Sequence, residues 1–198
     1  MNARRIGRML GTLLLAGVSC ATFAQDTAGQ GAGDRMGHGM SPSSEHDAMF
    51  MRHAAADSLA EIRLGRIALD KSSSARIRRL AQRIIDDHTK ANNQLISIAQ
   101  RKQVTLPTEP MPMQKQEADH LRTLSGSAFD RAYADSLVKD HRKAIKMFGI
   151  EGQRAADPDL KQFARTTLPV LKQHLQMAQQ AASGKGSMSL PVSARSTP

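Results

Sequence analysis

Three stretches of this chain place their apolar residues in steps of three and four, and no other feature constrains the fold as strongly. One carries Ile77, Ala81, Ile84, His88, Ala91, Leu95 and Ile98; a second Tyr133, Leu137, His141, Ala144, Phe148 and Glu151; a third Leu160, Ala164, Thr167, Leu171, His174, Ala178 and Ala181. Such steps return to one side of an α-helix, so each stretch is an amphipathic helix with a narrow apolar seam. A further helical segment runs from about His46 to Asp70.

The breaks between the segments follow from local chemistry. Ser72 to Ser74 form a cap cluster ahead of the second segment, and Asp157 followed by Pro158 is an N-cap and first-turn pair. The stretch "VTLPTEPMPM", Val104 to Met113, holds three prolines that cannot sit inside a helix, and a short extra helix is expected near Gln114 to Leu124. Pro169 falls within the last segment and predicts a kink about one turn before His174. Four helices with short links and one longer connection between the second and third predict an all-α, four-helix bundle. That longer connection is where ferritin-like bundles place their crossover.

The segments outside the bundle differ in kind. Residues 1–24 have Arg4, Arg5 and Arg8, then an apolar run from Met9 to Val18, then small residues up to Ala24. This is the pattern of a secretory signal peptide, and the expected location is the periplasm. The run is shorter than the roughly 20 residues that span a bilayer, and no later stretch approaches that length. Cleavage after Ala24 removes Cys20, the one cysteine, and with it any disulfide or thiolate ligand. A lipid anchor at Cys20, with outer-membrane association, is the competing expectation, but "GVSC" lacks the leucine usual three residues before a lipidated cysteine. Residues 25–45 are Gly- and Ser-rich with scattered Met and His and predict a flexible linker; the bundle is expected over 46–182 and a disordered tail over 183–198.

Net charge is +10, or +7 once the first 24 residues are removed. A basic face with Arg76, Arg78, Arg79, Arg83, Lys139, Arg142, Lys143 and Lys146 suits an envelope interaction with anionic lipid or lipopolysaccharide. Nucleic acid is disfavoured by export and by an aromatic content of 3% with no Trp.

The histidines carry the sharpest signal. "DDHTKA" at 86–91 and "KDHRKA" at 139–144 are near copies, and His88, His141 and His174 each occupy a seam position on a different helix. All three are therefore expected to point inward, where an imidazole needs a hydrogen bond, a carboxylate or a metal. Asp87 and Asp140 precede two of them; neighbours on a helix point about 100° apart, so each aspartate is better placed to reach a histidine on another helix or a surface partner. On the first helix His53, Asp57 and Glu61 are spaced one turn apart and share a face. Two roles fit: a metal site of His88, His141 and His174 with Glu61, Asp87 and Asp140, suited to Fe, Mn, Zn or Cu, or a polar hydrogen-bond layer that fixes helix register. Separately, Met36, His38, Met40, His46, Met49, Met51 and His53 make a thioether and imidazole arm suited to copper. No Gly-x-Ser-x-Gly elbow, phosphate-cradling Gly loop or His-Glu-x-x-His is present, so binding is expected rather than catalysis.

The stretches "AAADSLAEIRLGRIALDKSSSARIRRLAQRIIDDHTKANNQL", "FDRAYADSLVKDHRKAIKMF" and "DPDLKQFARTTLPVLKQHLQMA" resemble the bacterial family called domain of unknown function 4142, over about residues 48–182. The resemblance implies an exported ferritin-like bundle without an established activity. It does not carry a di-iron centre: the Glu-x-x-His pairs of ferritin-like sites are replaced by Ile85, Val138 and Leu171 three residues before His88, His141 and His174.

Overall fold

The computed structural model describes residues 42–184; the expected signal peptide, residues 25–41 and the chain beyond Gly184 lie outside them. Five helices follow in order: α1 Pro42–Lys71, α2 Ala75–Arg101, α3 Pro112–Thr123, α4 Gly126–Arg154 and α5 Pro158–Ala182. The first starts earlier than the expected His46. Proline is preorganised for a first helical turn, and Glu45 lies where the helix dipole favours an anion.

The starts of α2, α3 and α5 are held by side-chain caps, whereas Ser125 ahead of α4 makes no such bond. Ser74 Oγ accepts the Ile77 N–H at 3.4 Å, and Asp157 Oδ1 accepts the Leu160 N–H at 3.0 Å. At α3 the Gln114 side chain reaches back 2.8 Å to accept the Met111 N–H. Helix α5 continues through Pro169.

Two helical hairpins, α1 with α2 and α4 with α5, form a ferritin-like four-helix bundle: α2 packs on α5 and α1 on α4, while α3 lies against α1 and α4. Gly65 sets the α1–α2 approach, because a Cβ there would stand 2.8 Å from Ile85 Cγ1 and 3.2 Å from the Ala81 carbonyl oxygen. Among the described residues no helix is long and apolar enough to cross a membrane.

The buried apolar residues fall into two separate clusters. One gathers Phe50, Met51, Leu95, Ile98, Phe148, Leu160, Phe163 and Leu171; the other gathers Leu64, Ile67, Leu80, Ile84, Leu121, Phe129, Tyr133 and Leu137. In sequence the gaps between them coincide with Ser58 and Glu61 on α1, His88 on α2, His141 on α4 and His174 on α5, all buried. A polar layer therefore crosses the bundle between two apolar halves.

Candidate metal centre

The heptad spacing that makes these helices also makes the layer: a histidine at one seam position on each of α2, α4 and α5 brings three imidazoles inward at the same level. His88, His141 and His174 are 7%, 0% and 1% exposed, and each offers a ring nitrogen within 4.8 Å of the other two. Ring centroids are 5.2 Å apart for His141 and His174, 5.5 Å for His88 and His174, and 5.7 Å for His88 and His141.

Partners at the far side of each ring fix where the protons are. His141 Nδ1 lies 3.0 Å from the Leu137 carbonyl, which only accepts, so Nδ1 carries the proton and donates it. Glu61 Oε1 is 3.3 Å from the same nitrogen. His174 Nε2 lies 2.8 Å from Asp87 Oδ2 and donates to it, and Arg83 Nε donates to the same oxygen. Burial alone would push the Asp87 carboxyl up, but hydrogen bonds from Arg83 and His174 outweigh it and hold Asp87 below the usual carboxylate range.

The consequence is a pair of bare nitrogens. With Nδ1 of His141 and Nε2 of His174 protonated, the two remaining atoms, His141 Nε2 and His174 Nδ1, face each other at 3.2 Å with a lone pair on each. Such a contact needs a positive charge between the two: a proton or a metal ion. Desolvation lowers all three imidazoles, His141 to about 3 and His88 well below the usual value, with neighbouring histidines adding to the effect; at His174 the Asp87 contact opposes it. Neutral imidazoles are the form that binds metals. Two nitrogens bonded at ~2.0–2.1 Å to one tetrahedral ion stand about 3.3 Å apart, close to the spacing seen.

His88 is held more loosely, with Nδ1 3.4 Å from Ser58 Oγ and Nε2 3.5 Å from Glu61 Oε2. Both of those facing atoms, His88 Nε2 and Glu61 Oε2, are buried without a hydrogen-bond partner. Burial, then the charges of Asp140, Asp57 and Glu117, push the Glu61 carboxyl well above its ordinary range.

A cavity of about 1080 Å³ opens onto the layer. Its origin is legible in the seam: Ala91, Ala144 and Thr167 are too small to fill the positions next to the histidines, and all three line the space. Phe148 and Phe163 form part of its apolar wall, while Asp57, Glu61, Glu117 and Asp140 make another part acidic. Asp140 is not among the atoms that converge with the histidines; it lines this cavity, 3.4 Å from Ser136 Oγ and 3.7 Å from Lys143 Nζ. Burial and then Glu117 raise its carboxyl.

The residues of the expected copper arm are dispersed. Met36, His38 and Met40 lie outside the described residues. Met51 is 2% exposed and packs in the apolar core, whereas Met49 and His53 are exposed, His53 at the cavity rim. His46 turns instead toward Asp47 and Glu151. Of the basic face, Arg83, Lys139 and Lys143 are engaged by Asp87, Glu117 and Asp140.

Fold and site together define an all-α bundle with a buried histidine layer that opens onto a largely apolar cavity with charged groups of both signs on its wall. The sequence matches the domain of unknown function family DUF4142 over residues 35–181, and the chain belongs to that family. No curated protein matches it. Among solved structures it is similar to a DUF305 fragment from Deinococcus radiodurans, with 16% identity, a TM-score of 0.63, and coverage of 73% of this chain and 98% of that one. It is also similar to CopM in its Cu(I)-bound form, with 18% identity, a TM-score of 0.60, and coverage of 70% and 96%. At these identities the likeness is one of fold.

Proposed function

We propose that this protein binds one transition-metal ion through His88, His141 and His174, with the Glu61 carboxylate beside His88, and acts as an exported metal-binding bundle. The observation that carries the proposal is the 3.2 Å approach of His141 Nε2 and His174 Nδ1, in two rings whose protons the Leu137 carbonyl and Asp87 draw to their far sides. The unpartnered Glu61 Oε2 and His88 Nε2 support it, since orphaned buried polar atoms are rare unless something is bound there. Leu137 and Asp87 serve as outer partners that orient two of the rings, and this second layer is typical of histidine metal sites.

The cavity, whose wall carries Asp57, Glu117 and Asp140 together with Lys90, Lys139 and Lys143, supplies a path from outside to the histidines. Imidazole-rich sets suit Zn, Cu and Fe, and the carboxylate admits Mn. That CopM has been captured with Cu(I) makes copper an ion to include in any trial. The basic start and apolar run of residues 1–24 support a periplasmic location.

The test is elemental analysis of untagged protein from the periplasm, before and after chelation, with melting followed alongside. Near-stoichiometric metal, lost in His141→Ala together with most of the metal-induced rise in melting temperature, supports the site. A fully folded, metal-free protein that ignores added Fe, Mn, Zn and Cu makes the layer a structural one, with a proton between His141 and His174.

A further inference from the structure

A second group of potential ligands lies away from the histidine layer, where the start of α1 meets the α4–α5 turn. Asp47 Oδ1 and Oδ2 accept the backbone N–H groups of Ala156 and Asp157 at 3.2 and 2.9 Å, which ties α1 to the residues just before α5. Beside it, His46 Nδ1 lies 3.5 Å from Glu151 Oε2 and 3.8 Å from Asp47 Oδ1. These three residues each offer a donor atom within 4.8 Å of the others.

Glu151 is the anomalous member. It sits on the α4 seam, where the other positions are mostly apolar, is only 1% exposed, and its Oε1 has no hydrogen-bond partner. A buried carboxylate with a bare oxygen and a second carboxylate beside it is costly unless positive charge is near. Burial, then Asp47, push Glu151 up to about 7. The imidazole of His46, whose side chain is 51% exposed, forms the open wall of the group and leaves that side to water.

We infer that His46, Asp47 and Glu151 form a second cation site, distinct from the histidine layer and specific for a divalent first-row ion such as Zn²⁺ or Mn²⁺. One imidazole and two carboxylates are a harder donor set than three imidazoles, so this site disfavours Cu(I). An ion with bonds of ~2.0–2.2 Å to nitrogen and oxygen at a tetrahedral angle holds them about 3.3–3.6 Å apart, which the 3.5 Å from His46 to Glu151 meets and the 3.8 Å from His46 to Asp47 slightly exceeds. Seated there, the ion links the first turns of α1 to the end of α4, while Asp47 keeps its hold on the turn before α5.

The experiment is titration of the full chain with Zn²⁺ by calorimetry, in wild type, His46→Ala, Glu151→Gln and His174→Ala. Metal-free melting is measured for each variant; His46 is exposed, so its replacement leaves the fold intact even where Glu151→Gln weakens it. The expected result is one equivalent fewer, or at least about tenfold weaker binding of that equivalent, in both His46→Ala and Glu151→Gln, with the ion in the histidine layer retained. Undiminished binding in His46→Ala overturns the second site, whatever His174→Ala does. Loss in His46→Ala but not in His174→Ala leaves the second site standing and removes the first.

Discussion

Asp87→Asn is the substitution that most directly tests how the histidine layer is held. The aspartate accepts the His174 Nε2–H at 2.8 Å and thereby leaves Nδ1 bare toward His141. An asparagine keeps the size and loses the charge, so His174 is free to move its proton to Nδ1 and donate it to His141 Nε2. The metal then competes with an internal N–H···N bond. Loss of such an outer partner weakens metal sites about 10–100-fold, which is about 1.4–2.7 kcal/mol. Because the ion binds only the folded state, its stabilisation falls by the same amount at fixed excess metal. At roughly 4 °C per kcal/mol for a domain of this size, the metal-induced rise in melting temperature shrinks by about 5–10 °C. The metal-free protein changes little, since the partly exposed pair of Asp87 with Arg83 contributes about 1 kcal/mol or less. The assay is thermal melting with and without Zn²⁺, paired with calorimetric affinity. An unchanged metal-induced shift, with the whole loss appearing in the metal-free protein, would refute the orienting role.

Two other expectations follow from separate parts of the bundle. Gly65→Ala gains about 1 kcal/mol of helix propensity, but it places a Cβ against Ile85 and the Ala81 backbone, and overpacking typically costs about 1–3 kcal/mol; chemical denaturation should show a net loss of stability. Glu151 has a folded-state pKa raised to about 7 against an ordinary 4.5, so its contribution to metal-free stability is present in full below about 4.5 and is lost as pH rises through about 7. Glu151→Gln does not titrate, so wild type and variant should have similar stability near pH 4.5, where both side chains are neutral, and the wild type should fall below the variant as pH rises through about 7; a constant difference across that range would contradict the assignment.

Much of the bundle is legible in the chain because its helices are strongly periodic and their starts carry local chemistry. Asp157 with Pro158 marks α5, and the prolines after Val104 separate α2 from α3. His88, His141 and His174 lie on seams, and the spacing alone brings them inward. What spacing does not convey is contact between helices. That Asp87 meets His174, and not the histidine beside it, depends on how α2 packs against α5. Asp47 had no signal in sequence as a partner of the α4–α5 turn, since its two bonds reach more than a hundred residues along the chain. Glu151 did have one: a carboxylate at a position otherwise given to Tyr, Leu, Ala and Phe is a buried charge in need of a partner. Met51 shows the opposite case, a thioether grouped by composition with an arm but used by the core.

The small side chains at Ala91, Ala144 and Thr167 leave the space beside the histidines, and none of them is itself a candidate donor. Each sits on a different helix at a position where Leu or Ile would be equally compatible with the coil. Relatives of this chain are thus able to enlarge, reshape or close that chamber by single substitutions while keeping both the bundle and its nitrogen donors. Pocket volume and donor chemistry are separately heritable traits in this architecture, and lineages that share every histidine need not admit the same guest.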